Sequence, residues 1–189
     1  MILLKKLISI LKVAGVALLS VTTALLSSCS IGSESIHGQE LLKLTDDELF
    51  ETVYFQNIDL VMSYPDESQA LSQISPEQRT FYILSIYDME IQNGGLCQFF
   101  VNSSRSLAPF VDECLETVGA EEHRKLLAEF VADNNIDLNN LESFDTPDIE
   151  DYILQTQRYD FDSFDNAYYE LTALQDYLVK YVKNNITAF

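Results

Sequence analysis

The chain is short of the residues that most site chemistry requires. It has two histidines, His37 and His123. A zinc centre needs several His or Cys ligands at close spacing, and no such set exists here. His123 reads as a packing or helix-surface residue, and no spacing supports a Cys–His nucleophile built from it. Three cysteines are too few for a disulfide framework. Basic residues are scarce as well. Eleven Lys and Arg stand against 30 Asp and Glu, for a net charge of −19. Such a chain is excluded as a nucleic-acid binder, because phosphates reward the opposite sign. No stretch alternates apolar and polar residues, no segment repeats and none is of low complexity. No Gly-rich loop with a basic residue could cradle a phosphate. No cofactor and no metal are expected.

One apolar run stands at the N-terminus. Lys5, Lys6 and Lys12 precede Val13 to Leu26, a run of signal-peptide length that is too short and too rich in Ser and Thr for a good membrane span. It ends in Leu26-Ser27-Ser28-Cys29, small residues before a cysteine, the pattern of a bacterial lipobox. The expectation is a signal peptide over 1–28, lipidation of Cys29 with palmitate-type chains, a tether over 29–44 and one acidic helical domain over 45–189. Two acyl chains give stable anchoring. The domain would then sit outside the cytoplasm in a bacterial cell envelope. Three lysines and no acids leave with the signal, so the charge falls from −19 to −22. Cys97 and Cys114 lie in apolar helical patterns and read as buried thiols in preference to a disulfide, which an envelope compartment would permit.

The periodicity predicts an all-α domain of about six helices. Thr45-Asp46-Asp47-Glu48 is a capping box with acids on the positive end of a helix. Leu49, Phe50, Val53, Tyr54, Leu60 and Val61 follow at helical spacing, and Pro65 ends the segment, with a polar loop beyond. Ser75-Pro76-Glu77-Gln78 is a second start signal. The helix it opens is apolar nearly all round from Phe81 to Ile91, which marks it as central and buried. Asn93-Gly94 ends it, Leu96, Phe99 and Phe100 make a short apolar turn, and 102–106 is a polar loop. Two amphipathic stretches follow, 107–118 closed by Gly119 and 120–134. Residues 135–160 read as irregular and acidic, with one short helix after Pro147. Phe164, Ala167, Leu171, Leu174, Leu178 and Tyr181 form a heptad seam, which predicts one long C-terminal helix able to cross the domain or pair with a copy of itself.

Three constellations carry candidate chemistry. Asp133-x-Asn135-x-Asp137-x-Asn139 starts like a calcium loop, but Leu138 and Phe144 occupy the positions of the required Gly and Glu. Glu90, with Asp88, is a carboxylate on an apolar helix. It suits an acid or base with a raised pKa, or a structural acceptor that with Gln98 and Asn102 satisfies the backbone groups exposed at the Gly94-Gly95 corner, and the second reading is preferred. The acidic run Glu142, Asp145, Asp148, Glu150, Asp151, Asp160, Asp162 and Asp165 is opposed only by Arg158. The charge far exceeds the magnitude of about 2–8 that keeps a small domain soluble. A helix rises about 1.5 Å per residue and B-DNA carries one charge per about 1.7 Å, so a dense acidic rim can approach the charge density of DNA.

Glu90-x-x-Asn93-Gly94-Gly95-Leu96-x-Gln98-Phe99-Phe100-x-Asn102 resembles the hallmark of the DNA-mimic protein family. The resemblance continues through Leu115 to Gly119-Ala120 and to Tyr168-Tyr169, over roughly residues 45–185. It implies an all-helical fold, often dimeric, and an acidic protein that occupies the DNA site of a transcription repressor. It transfers no catalytic residue. The lipobox departs from that setting by placing the domain outside the cytoplasm.

The favoured expectation is a non-enzymatic, lipid-anchored module that presents the acidic run to a basic protein partner. One concrete form is an immunity-type lipoprotein that neutralises a toxin. The alternatives are a cytoplasmic DNA mimic that sequesters a helix-turn-helix regulator, and an enzyme that uses Glu90.

Overall fold

A computed structural model describes residues 36–189. The expected signal peptide and the expected lipidation site, Cys29, lie outside the described residues. The all-α class holds throughout: eight α-helices and four short 3-10 segments follow one another, with no strand among the described residues.

Helix α1 (Asp46–Met62) starts as its sequence requires. The Thr45 side chain accepts the Glu48 amide, and the Glu48 carboxylate accepts the Thr45 amide at 2.9 Å. The stretch after Pro65 is not only a loop. It holds α2 (Glu67–Gln73), capped by Asp66 and pinned by the buried Ala70. Helix α3 (Pro76–Val101) begins at the Ser75–Gln78 capping box. Every residue from Thr80 to Tyr87 is buried, so the all-round apolar pattern does mark the central element. It packs against α1, against the 3-10 segment Ser103–Leu107 and against four later helices. These are α4 (Ala108–Val118), α6 (Ile149–Thr156), α7 (Phe161–Glu170) and α8 (Leu174–Asn184). Helix α5 (Glu121–Asp133) packs on α4 and α7 instead. Gly119, at φ +77°, closes α4 in the left-handed conformation that glycine adopts without strain.

Two further expectations need correction. The C-terminal stretch is two helices rather than one. Leu171 and Ala173 have extended backbone (ψ 163° and 133°), and the Thr172 carbonyl between them bonds His123 Nε2 at 2.8 Å. The heptad spacing survives because α7 and α8 both face α3. Periodicity records which face is buried and cannot tell one helix from two that share a core.

The second correction concerns the expected tether. Gly38–Lys43 is a 3-10 helix with Leu41 completely buried. The Gly38 amide donates to the Phe189 carbonyl at 2.9 Å, and Gln56 Nε2 donates to the Ile36 carbonyl at 2.8 Å. Phe189 is itself buried against Phe81, with ring centroids 5.8 Å apart. The first and last described segments are therefore clasped together over the core. Leu41→Ala should cost about 2–4 kcal/mol of unfolding free energy in urea titration. A residue in a true tether would change it by no more than about 0.5 kcal/mol.

Candidate functional site

The Gly94-Gly95 corner lies inside α3. Neither glycine has helical dihedrals: Gly94 is at φ −164°, ψ 23° and Gly95 at φ 77°, ψ −179°. Gly95, not Gly94, holds the conformation that is essentially reserved for glycine. A second constraint acts on it, because a Cβ there would lie 1.9 Å from Asp165 Oδ2. That carboxylate is close for a reason. Its Oδ1 accepts the Leu96 amide at 2.9 Å and so caps, from another helix, the new helical segment that starts after the break.

Glu90 does not satisfy backbone groups, as the sequence suggested. Its carboxyl gathers the polar side chains of the motif. Gln98 Nε2 and Asn102 Nδ2 donate to Oε2 at 2.7 and 2.8 Å, and Ser104 Oγ donates to Oε1 at 2.7 Å. The glutamate is buried, and these donors replace the water it has lost. They tie the last turn before the corner to the chain beyond it. A Cβ on Gly94 would lie 2.3 Å from Gln98 Oε1, so Gly94 leaves room for the amide that Glu90 holds. Ser104 was missed by sequence reasoning, since a serine in a polar loop carries no signal of its own. Asn93 is exposed and lines a shallow hollow of about 330 Å³ beside Gly95, Asp162 and Asp165.

The motif aromatics pull other elements in. Phe99 meets Tyr87 edge-on at 5.1 Å, and Phe100 lies 5.0 Å from Phe144 and 6.5 Å from Phe161. Helix α7 closes the corner from outside. Tyr168 Oη donates to Asp88 Oδ1 at 2.8 Å, and Tyr169 Oη donates to the Ile91 carbonyl at 2.8 Å. Asp165, Tyr168 and Tyr169 stand at i, i+3 and i+4, one face of a helix. Beneath them His123 is almost fully buried, its ring 4.7 Å from Tyr168. Because Nε2 bonds a carbonyl, Nε2 carries the proton and Nδ1 is left as a buried acceptor without a partner. Burial pushes the His123 pKa down, against the Thr172 bond and the nearby Asp88.

Burial pushes the Asp88 carboxyl up, opposed by Tyr168, Gln92 and His123. Asp165 is raised by burial, opposed by the Leu96 amide and reinforced by Asp162. Cys97 and Cys114 are free, buried thiols pushed up to about 11 by burial. Among the described residues no group of three His, Cys, Asp or Glu side chains could hold a metal ion.

The acidic run separates into parts. Glu142, Asp145, Asp148, Glu150, Asp160 and Asp162 are exposed, while Asp151 and Asp165 are half-buried. Asp148 caps α6 through the Asp151 amide at 2.9 Å, Asp160 caps α7 through the Ser163 amide at 3.2 Å, and Asp145 pairs with Arg105. Asp165 leaves the proposed surface and joins the corner. Helix α6, within the run, exposes Ile149, Ile153 and Leu154, a feature that charge counting passed over.

Two outcomes test this account. Gly119→Ala and Gly95→Ala both place a Cβ at φ +77°, but only Gly95 faces another group. Gly119→Ala should cost about 1–2 kcal/mol. Gly95→Ala should cost about 3–5 kcal/mol, because strain adds to loss of the Asp165–Leu96 bond. Equal costs in chemical denaturation would show that Asp165 does not enforce the glycine. For Asp88, a folded pKa above the unfolded one means that the protonated carboxyl favours folding. That contribution is complete below the ordinary carboxylate range and is lost as pH rises through the raised value. Asp88→Asn keeps an acceptor for Tyr168 and cannot ionise. The unfolding free energy of the native chain should therefore rise relative to that variant between about pH 7 and about pH 4. A pH-independent difference would contradict it.

The family model described as DMP19-like protein matches residues 72–185. No curated protein and no solved structure matches the chain. The matched span starts in α2 and runs just past α8, and so takes in the broken helix, the Glu90 cluster and the α7 face that closes it; α1 lies outside it. By that match the chain belongs to the DMP19-like protein family.

Proposed function

We propose that this chain is a non-enzymatic, acidic helical binding module held at a membrane by a lipid on Cys29, and that its partner is a basic protein. The observation that carries the reading is charge. Thirty acidic residues face 11 basic ones, and Glu142, Asp148, Glu150 and Asp162 stand exposed on the segments around α6 and α7. Such a field speeds encounter with a basic surface and repels nucleic acid and anionic lipid. Anchoring then falls to the acyl chains. An immunity-type lipoprotein that blocks a basic toxin is one concrete form.

A DNA mimic that sequesters a helix-turn-helix regulator is the second reading, and family membership favours it. The two require different compartments. Glu90 is given no catalytic part, because both its oxygens already accept Gln98, Asn102 and Ser104.

Metabolic labelling with a fatty acid, with and without Cys29→Ala, separates the readings. The expected result is label in the membrane fraction for the native chain and none for the variant. An unlabelled, cytoplasmic chain would remove the anchored module. The tagged chain should then recover a basic protein from the envelope fraction at low salt and release it at about 1 M salt, where the screening length shrinks to about 3 Å. Recovery of no basic protein at low salt would count against the module itself.

A further inference from the structure

Helix α6 exposes three large aliphatic side chains within eight residues, against Phe55 and Met62 on α1, Phe110 on α4 and Tyr169 on α7. Its apolar side chains face outward, with Ile149 64%, Ile153 49% and Leu154 64% exposed. Ile149 and Ile153 form an i, i+4 ridge, and Leu154 stands beside it. The helix is held from its other side. Gln155 is only 8% exposed, and its Nε2 donates to the Ser143 carbonyl. That bond fixes the amide's orientation, so Oε1 is an acceptor, and it is buried without a donor.

A hollow of about 450 Å³ opens beside Leu154, lined by Asp145, Asp151, Leu154, Gln155, Gln157 and Arg158. Its one basic group, Arg158, is held in place within the chain and keeps its charge. Arg158 donates to the Ser143 carbonyl at 3.2 Å and lies over the Tyr159 ring at 5.3 Å. On the helix itself Asp148 at the cap and Glu150 and Asp151 in the first turn place carboxylates beside the aliphatic side chains.

We propose that α6 and this hollow form the docking site for a basic amphipathic helix of a partner protein. The inference rests on the acidic-module reading and names the chemistry of its partner. Apolar anchors of the incoming helix cover Ile149, Ile153 and Leu154, the helix-in-groove mode of recognition. Its flanking Lys or Arg side chains meet Asp148, Glu150 and Asp151, giving the apolar centre and polar rim of a protein interface. Three aliphatic side chains imitate no phosphate, so this site is distinct from a surface that copies DNA. A second copy is the poorer occupant. Two-fold pairing through this face would set the Asp148, Glu150 and Asp151 carboxylates of one copy against those of the other.

The test uses the purified full chain in detergent and two helical peptides of equal positive charge. One is built of leucine and lysine with an apolar face, and in the other serine replaces each leucine. By fluorescence anisotropy the native chain should bind the leucine peptide about tenfold more tightly or better, since buried anchors dominate interface energy. An Ile153→Ser/Leu154→Ser chain should bind both peptides alike, at the native affinity for the serine peptide. Glu150→Gln/Asp151→Asn should weaken both peptides and keep the preference between them. All four positions lie at or near the surface, and far-UV circular dichroism checks that each variant folds. Equal binding of both peptides by the native chain overturns this inference and leaves the acidic module standing. Binding of neither peptide overturns both. A native dimer that Ile153→Ser/Leu154→Ser converts to monomer in sedimentation gives the face to a second copy and overturns the proposal. So does uptake by zwitterionic vesicles that the same variant abolishes, with neither peptide bound.

Discussion

A buried helix that is broken in its middle must find partners for the backbone groups the break exposes, and this constraint organises the domain. Unpaired amides and carbonyls in a core cost about as much as lost hydrogen bonds. Here Asp165 takes the Leu96 amide and Tyr169 takes the Ile91 carbonyl. Both come from α7, so the break in α3 specifies which helix must lie over it. The glycine follows from the same contact. A carboxylate close enough to cap Leu96 leaves no room for a Cβ at position 95.

The Glu90 cluster serves the same end by other means. The helical ladder no longer runs cleanly across the corner, and a buried carboxyl bonded to Gln98, Asn102 and Ser104 replaces it as the cross-link. The residues from Glu90 to Ser104 thus meet a folding requirement. Carboxylates are used differently on the less regular stretch from 142 to 162. There the chain spends some carboxylates on helix caps and leaves others, with three aliphatic side chains, at the surface.

Much of this was legible from the chain alone. The capping boxes at Thr45 and Ser75, the left-handed Gly119 and the all-round apolar pattern of α3 are local matters, carried by residues within a turn or two of one another. The misreadings were long-range. Leu41 shares a short stretch with Leu42 and Leu44, and nothing near it in sequence says that it is the one that reaches the core. Asp165 looked like one carboxylate of an acidic run until the fold placed it against an amide 69 residues away. The interruption at Leu171–Ala173 leaves the heptad spacing intact and was invisible to it.

By itself the sequence determined the class, the charge and those helix ends that carry a capping box or a closing glycine, because periodicity, composition and capping act over one or two turns. It also determined that the Gly-Gly corner was special. Only the tertiary structure decided what the corner is. Glu90, Gln98, Asn102 and Ser104 converge on one another, and Asp165 belongs to the corner and not to the surface. Equally, only the fold could turn the aliphatic side of α6 outward. Which face of a short helix is covered depends on the elements packed beside it, and those are fixed by contacts far apart along the chain.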